Sequence, residues 1–241
     1  MNGLFLTIIS GFSTLIGIIP IFINYKNIKK IIVCSLSFAS GVMFSISTFD
    51  LLVESLKIFN KIFGIILGLI VFLVLFFVGI FIIRIINNNL KTDNELEKVG
   101  VLSLVAIIIH NIPEGILTYM MTSIDYKLGL SLALAIALHN IPEGISISVP
   151  IYYSTNSRLK AFFYTLIAAL SEPFGALLAF IFFKDLNNKM IIGILFSLVC
   201  GIMIYLSLFD LIKEAKKYKE NKLLNIFFII GMIFMFLIIK I

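Results

Sequence analysis

Residues 62–83 read IFGIILGLIVFLVLFFVGIFII, a run without a single polar side chain. A helix rises about 1.5 Å per residue, so about 20 such residues cross the roughly 30 Å hydrocarbon core of a bilayer. An apolar run of this length is typical of a membrane-spanning helix. The stretch therefore predicts an all-α integral membrane protein.

The composition of the whole chain agrees with that prediction. Of its 241 residues 61% are hydrophobic and 13% are charged, with a mean hydropathy of +1.14, which leaves too little polar surface for a water-soluble globule. The first apolar run lacks the basic start and cleavage site of a removable signal peptide, so we expect it to remain as a span. We expect one membrane domain over residues 1–241 with short loops. The eight predicted spans are 3–23, 31–56, 62–83, 99–122, 128–152, 160–183, 190–212 and 223–239.

The charges predict how the chain lies in a cell membrane. The formal net charge is +6, but the basic residues stand at span ends instead of forming a patch, which favours a lipid bilayer over nucleic acid as the partner. Of the 19 lysines and arginines, 13 fall on one side of the eight spans and 6 on the other. The positive-inside rule then predicts a multi-pass inner-membrane protein with both termini outside the cytoplasm.

Two short repeats organise the chain. The sequence HNIPEG occurs at residues 110–115 and again at 139–144, in two consecutive and therefore antiparallel spans. A second repeat relates residues 41–54 to 201–214 at a constant offset of 160, including Asp50 with Asp210. Together they predict a 3+2+3 inverted-repeat arrangement, an architecture typical of transporters that bind their substrate at mid-membrane depth.

Three carboxylates lie near the middles of spans without a basic partner in the sequence: Glu114, Glu143 and Glu172. Each ionised carboxylate at the bilayer centre costs about 3 kcal/mol, so a proton or a bound cation must neutralise it. The two histidines of the chain, His110 and His139, each stand four residues before one of these glutamates. This spacing places imidazole and carboxylate on one helix face.

Asn111 and Asn140 stand three residues before the same glutamates and add amide oxygens at the edge of that face. Two histidines, two asparagines and two glutamates would then converge, whereas ordinary interhelical hydrogen bonding is the simpler alternative. The ligand set suits Zn(II), Fe(II), Mn(II), Co(II) or Cd(II) better than Cu(I) or Ca(II), as one ion or as two bridged by carboxylates. The metal would be a transported substrate, and we expect no cofactor.

Further residues have two interpretations each. Glu172 is either a ligand or a carboxyl group that exchanges protons. Met43 either offers a thioether or simply packs in the core. Asp50 and Asp210, near the outer end of span two and the inner end of span seven, are either stations on the metal pathway or solvated acids.

The two HNIPEG copies, SEPFG at 171–175 and GVM at 41–43 resemble the motifs of the ZIP (Zrt/Irt-like) family of metal transporters, in particular its short bacterial branch. The resemblance covers essentially the whole chain. It implies eight spans and uptake of metal into the cytoplasm by a homodimer in which one helix bundle slides against another.

By the same resemblance, two adjacent metal positions are expected. The first position would use His110, Glu114, His139 and Glu143 with Met43. The second would add Asn111, Asn140 and Glu172 and share Glu114 and Glu143. The connection from Arg84 to Lys98, predicted to be a solvated loop, lacks the histidines that many family members carry there.

Two other functions fit a buried zinc site. An intramembrane metallohydrolase would use the metal to activate water, but the HExxH motif is absent from the sequence, so we expect no enzyme. A metal-binding membrane receptor would bind the ion without any flux. Flux across a membrane distinguishes the receptor from a transporter.

Overall fold

The computed structural model describes residues 2–23, 26–92, 94–182 and 189–239. Within these ranges it is helical with no strand, and eight helices are long and apolar enough to cross a membrane. The prediction of an all-α protein with eight such helices is therefore confirmed. The helices, named α1 to α8, are Asn2–Phe22, Ile28–Phe63, Ile65–Asn89, Glu95–Ile124, Tyr126–Thr155, Arg158–Ile181, Lys189–Lys216 and Asn221–Ile239.

Most of the helices extend beyond the predicted spans, whose bounds in the membrane stay predictions. Helix α2, for example, covers Ile28–Phe63 instead of 31–56. Polar capping residues extend the helices beyond the apolar run, because their side chains satisfy backbone N–H groups that the first turn leaves free. The side chain of Asn27 accepts from the Lys30 backbone N–H, and that of Asp125 from Lys127.

The predicted loop from Arg84 to Lys98 is also shorter than expected. Helix α3 continues to Asn89 and α4 begins at Glu95, where the Asn94 side chain accepts from the Leu96 backbone N–H at 2.8 Å. Asparagines still make helical backbone hydrogen bonds once the chain has left the apolar region. The predicted end of span six at 183, and Asp93, Lys184 and Lys240, lie outside the described residues.

Burial separates the helices into interior and peripheral ones. In the most apolar part of each helix, 72% of the residues of α2 and 61% of those of α4 and α5 are buried, against 17% in α3. Helices α1, α4, α5 and α6 pack against one another, and α2, α3, α7 and α8 form a second group. The two HNIPEG copies, on α4 and α5, therefore lie inside the bundle.

Helices α2 and α7 carry matching irregularities. Each contains one π-helical turn, at Ser47–Leu51 and at Leu206–Leu211. The Ser40 hydroxyl donates to the Ser207 carbonyl at 2.9 Å, and the Cys200 thiol donates to the Ser47 carbonyl at 3.2 Å. Because Cys200 and Ser207 are Ser40 and Ser47 shifted by 160 residues, the two bonds are one contact repeated.

Two further contacts follow the same offset. Lys57 pairs with Glu54 at 2.7 Å, and Lys217 pairs with Glu214 at 2.6 Å, both between charged nitrogen and oxygen atoms. Gly41 of α2 lies against the backbone of α8, and Gly201 of α7 lies against that of α3. The 3+2+3 inverted arrangement stays a prediction, and these paired contacts support it.

Candidate metal centre

The glycines of the two HNIPEG copies let neighbouring helices approach closely. A Cβ atom on Gly115 would collide with the carbonyl oxygen of Glu172 in α6, and one on Gly144 would collide with that of Thr14 in α1. Small residues at helix contacts allow this closeness in membrane proteins. The backbones of α6 and α1 therefore lie directly beside the motif helices.

The central cluster consists of two imidazoles around one carboxylate. Glu114 Oε1 lies 3.1 Å from His110 Nε2 and 3.2 Å from His139 Nε2. The potential ligand atoms of these three residues lie within 4.8 Å of one another. Glu143 completes the group, with its Oε1 3.5 Å from His110 Nε2.

These separations suit a transition-metal ion. Ligand atoms about 2.1 Å from a tetrahedral zinc ion lie about 3.4 Å from each other. The observed carboxylate-to-imidazole distances of 3.1 to 3.5 Å bracket this value. The four side chains are at most a tenth exposed, so water does not compete freely for them.

Several polar atoms beside the cluster are buried without a hydrogen-bond partner among the described residues. They are Glu143 Oε2, His139 Nδ1, Asn140 Oδ1, and both Asn111 amide atoms. Such groups normally find a partner, since leaving one unpaired costs about 1 to 3 kcal/mol. The free carboxylate and amide oxygens are therefore available to a cation.

Glu172 belongs to a second polar group next to this cluster. Its side chain is fully buried; one carboxylate oxygen accepts from the Ser10 hydroxyl and the other from Asn140 Nδ2 at 3.0 Å. Asn140 Nδ2 also donates to the Ser10 carbonyl at 2.9 Å. Glu172 thus lies beside the motif residues, with both of its carboxylate oxygens already engaged.

Ser10 is a residue that the sequence reasoning missed. The available signal was a stripe of hydroxyl residues along an otherwise apolar span: Thr7 and Ser10, followed three and four positions after Ser10 by Ser13 and Thr14. All four side chains are buried. Hydroxyls at this spacing occupy one helix face, which indicates a contact between helices rather than with lipid.

The two predicted pathway acids occupy different places. Asp50 lines a cavity of about 300 Å³ that also exposes Glu114 and His139, so this acid and the cluster share one open space. Asp210 instead accepts a hydrogen bond from Asn87 Nδ2 at 2.9 Å, near the end of α3. Met43 is fully buried within the main hydrophobic cluster. The ligand and pathway roles of these residues stay predictions.

The family model described as ZIP zinc transporter matches residues 90–239, a region that includes both HNIPEG copies and Glu172. The chain belongs to the ZIP family. The resemblance inferred from the two HNIPEG copies and SEPFG is therefore confirmed. Membership assigns the chain to a family of transporters rather than of enzymes.

Similar ZIP proteins match nearly the whole chain. The zinc transporter ZupT of Chlorobaculum parvum is 36% identical over 90% of this chain and 89% of its own length. The proteins of the same name from Streptococcus mutans and Clostridium perfringens are 35% and 34% identical, each over 95% of this chain and 93% and 92% of their own lengths. The similarity therefore extends over all eight helices.

Proposed function

We propose that this ZIP protein transports divalent transition-metal ions, zinc foremost, across a cell membrane. The observation that carries the proposal is the buried Glu114 carboxylate between the imidazoles of His110 and His139. The similar proteins named zinc transporter support zinc as the substrate. Iron, manganese, cobalt and cadmium ions suit the same ligand types.

The ligands form two adjacent positions in this proposal. His110, Glu114, His139 and Glu143 bind the first ion, with Met43 as a further ligand. Asn111 and Asn140, with Glu172, complete a second position that shares both motif carboxylates. The unpaired amide oxygens of the two asparagines support this second position.

The proposed direction is uptake into the cytoplasm, with both termini outside. A membrane potential negative inside is worth about 2.3 kcal/mol per charge per 100 mV, hence about 4.6 kcal/mol for an entering divalent ion. Asp50 receives the ion on the outer side, and Asp210 lies on the inner side. The single membrane domain works as a homodimer, as the resemblance to the family implies.

Zinc flux into proteoliposomes of purified protein tests the proposal. We expect saturable flux that Glu114→Gln abolishes, because the amide cannot neutralise the ion. Glu97→Gln, at the start of the same helix, is the matched control and should transport like wild type. Full flux in a well-folded Glu114→Gln would refute the site, whereas zinc binding without flux in wild type would favour a receptor.

A further inference from the structure

Ser10 joins α1 to the second HNIPEG copy and to α6 through two different atoms. Its hydroxyl donates to the Glu172 carboxylate, and its backbone carbonyl accepts from Asn140 Nδ2 at 2.9 Å. The third side of this triangle is the bond from Asn140 Nδ2 to Glu172 Oε2 at 3.0 Å. All three side chains are fully buried.

The orientation of the Asn140 amide follows from its hydrogen bonds. A carboxamide has two N–H donors and one oxygen acceptor. Asn140 uses its nitrogen toward two oxygen acceptors, the Ser10 carbonyl and the Glu172 carboxylate. A half-turn of the amide would place its oxygen against both of these oxygens, which would repel it. The amide oxygen is therefore directed away from them, and it is buried without a partner in the part of the chain that the structure describes.

The Ser10 hydroxyl fixes the carboxylate that holds this amide. Besides Glu172, the hydroxyl lies 3.0 Å from the Leu6 carbonyl of its own helix, but it has only one proton to donate. Of these two acceptors the Glu172 oxygen lies nearer to the hydroxyl. The proton is thus directed to Glu172, whose other oxygen stays on Asn140.

The matching asparagine of the first HNIPEG copy lacks this support. Both amide atoms of Asn111 are buried without a hydrogen-bond partner among the residues described. Its two orientations are therefore not distinguished by hydrogen bonds in this structure. The two copies are identical in sequence, and the difference arises from the helix packed beside each one.

We propose that Ser10 is a positioning residue for metal transport, which holds Asn140 with its amide oxygen free to bind the ion. The inference rests on the proposed function, since it assumes that Asn140 meets a metal. Groups that orient a metal ligand from behind typically change metal affinity 10- to 100-fold when they are removed. The Ser10 backbone carbonyl accepts one bond from Asn140, and the Ser10 hydroxyl holds the Glu172 carboxylate that accepts the other.

The test compares zinc transport by wild type, Ser10→Ala, Ser10→Thr and Ser148→Ala in proteoliposomes. Ser10→Ala should raise KM for zinc on the order of tenfold with little change in maximal rate. Ser10→Thr keeps the hydroxyl and should restore KM. Ser148 donates to the Gly17 carbonyl at 2.7 Å, so Ser148→Ala also removes a buried bond between α5 and α1, and its KM should stay within twofold of wild type.

Binding of Co(II), followed by its visible absorption in detergent, gives an independent readout on folded protein. Ser10→Ala should weaken Co(II) binding and change the spectrum, and Ser148→Ala should do neither. If Ser10→Ala does not fold, Ser10→Cys replaces it, because a thiol is of similar size and a weaker donor. Its KM should rise above that of wild type, but by less than the roughly tenfold rise expected for Ser10→Ala.

A KM for Ser10→Ala equal to that of Ser148→Ala, with an unchanged Co(II) spectrum, would overturn the role of Ser10. So would a Ser10→Thr protein as impaired as Ser10→Ala. Either result can occur while wild-type flux is normal and Glu114→Gln is inactive. The inference about Ser10 can therefore fail while the proposed function stands, and loss of the proposed function would be seen in wild type.

Discussion

The carboxylate of Glu114 contacts both imidazoles through the same oxygen, at 3.1 and 3.2 Å. His110 also lies 3.5 Å from Glu143. These buried side chains stabilise the fold little through their contacts with one another, because their remaining lone pairs stay unsatisfied. A shared cation would satisfy those lone pairs and contribute more. Single substitutions in the cluster should therefore affect metal binding more than they affect folding.

Replacing both histidines tests their role as ligands. We expect His110→Ala/His139→Ala to lower zinc affinity more than about 100-fold, since loss of a ligand should exceed the effect of losing a group behind one. Competition with a zinc-chelating dye on purified protein measures the affinity. Ser103→Ala, a buried polar residue on the same helix as His110, is the control. Wild-type affinity in the double variant would show that the histidines are not ligands.

Glu143→Ala should abolish metal uptake while the protein still inserts in the membrane. The substitution removes a buried carboxylate that has one oxygen near His110 and the other without a hydrogen-bond partner among the described residues. Metal accumulation by cells, normalised to the amount of membrane-inserted protein, is the measurement. Normal uptake by a well-expressed variant would remove Glu143 from the site.

Helix packing at the two motif glycines leaves no room for a side chain. Gly115 lies against the backbone of α6 at Glu172, and Gly144 against that of α1 at Thr14. Backbone atoms cannot swing aside as a flexible side chain can, so an added methyl group must separate whole helices. The helices of the site are thus held together by close contact at the same residues that carry the ligands.

Gly115→Ala should therefore destabilise the protein by about 1 to 3 kcal/mol, the usual cost of overpacking, and reduce transport. Gly193→Ala is the control, because the three atoms nearest its new methyl group belong to the side chains of Ile58 and Phe59 and not to a helix backbone. Unfolding by a denaturing detergent in mixed micelles compares the two. Equal stability of both variants would contradict the close packing of α4 on α6.

The paired bonds between α2 and α7 allow a matched comparison. Cys200→Ala removes the donor to the Ser47 carbonyl, and Ser40→Ala removes the equivalent donor to the Ser207 carbonyl. Each should cost about 0.6 kcal/mol, the average for hydrogen bonds between membrane helices, and Cys200→Ser should cost less because it keeps a donor. Very different losses of unfolding free energy in the two alanine variants would show that the two hydrogen bonds do not lie in equivalent environments.

Much of this architecture could be predicted from the sequence because the information is local. The polar-free run 62–83 requires a membrane helix, and the spacing of His110 and Glu114 requires a common face. The role of Ser10 depends on which helices pack beside α1, which no local pattern specifies. The contact of Asn87 with Asp210 could not be predicted for the same reason, and also because Asn87 belonged to a predicted loop.

The orientation of the bundle in the membrane can be tested with impermeant thiol reagents. In a background with Cys34→Ser and Cys200→Ser, Lys127→Cys should be labelled on intact cells, and Lys160→Cys only after the membrane is opened. Both lysines are exposed; Lys127 lies at the start of α5 and Lys160 at the start of α6, on opposite sides of the predicted membrane. The reverse pattern would invert the predicted topology and place both termini in the cytoplasm.

The short connection between α4 and α5 limits the rate at which the protein can transport ions. Helix α4 ends at Ile124 and α5 begins at Tyr126, so only Asp125 separates the two helices that carry the HNIPEG copies. The two helices cannot separate at this end. Movement of an ion bound between them would therefore require both helices, about 60 residues, to move together. Collective motions of that size take microseconds to milliseconds. One ion per motion then gives a throughput between about a thousand and about a million ions per second, so we expect a carrier's rate and not the current of an open pore.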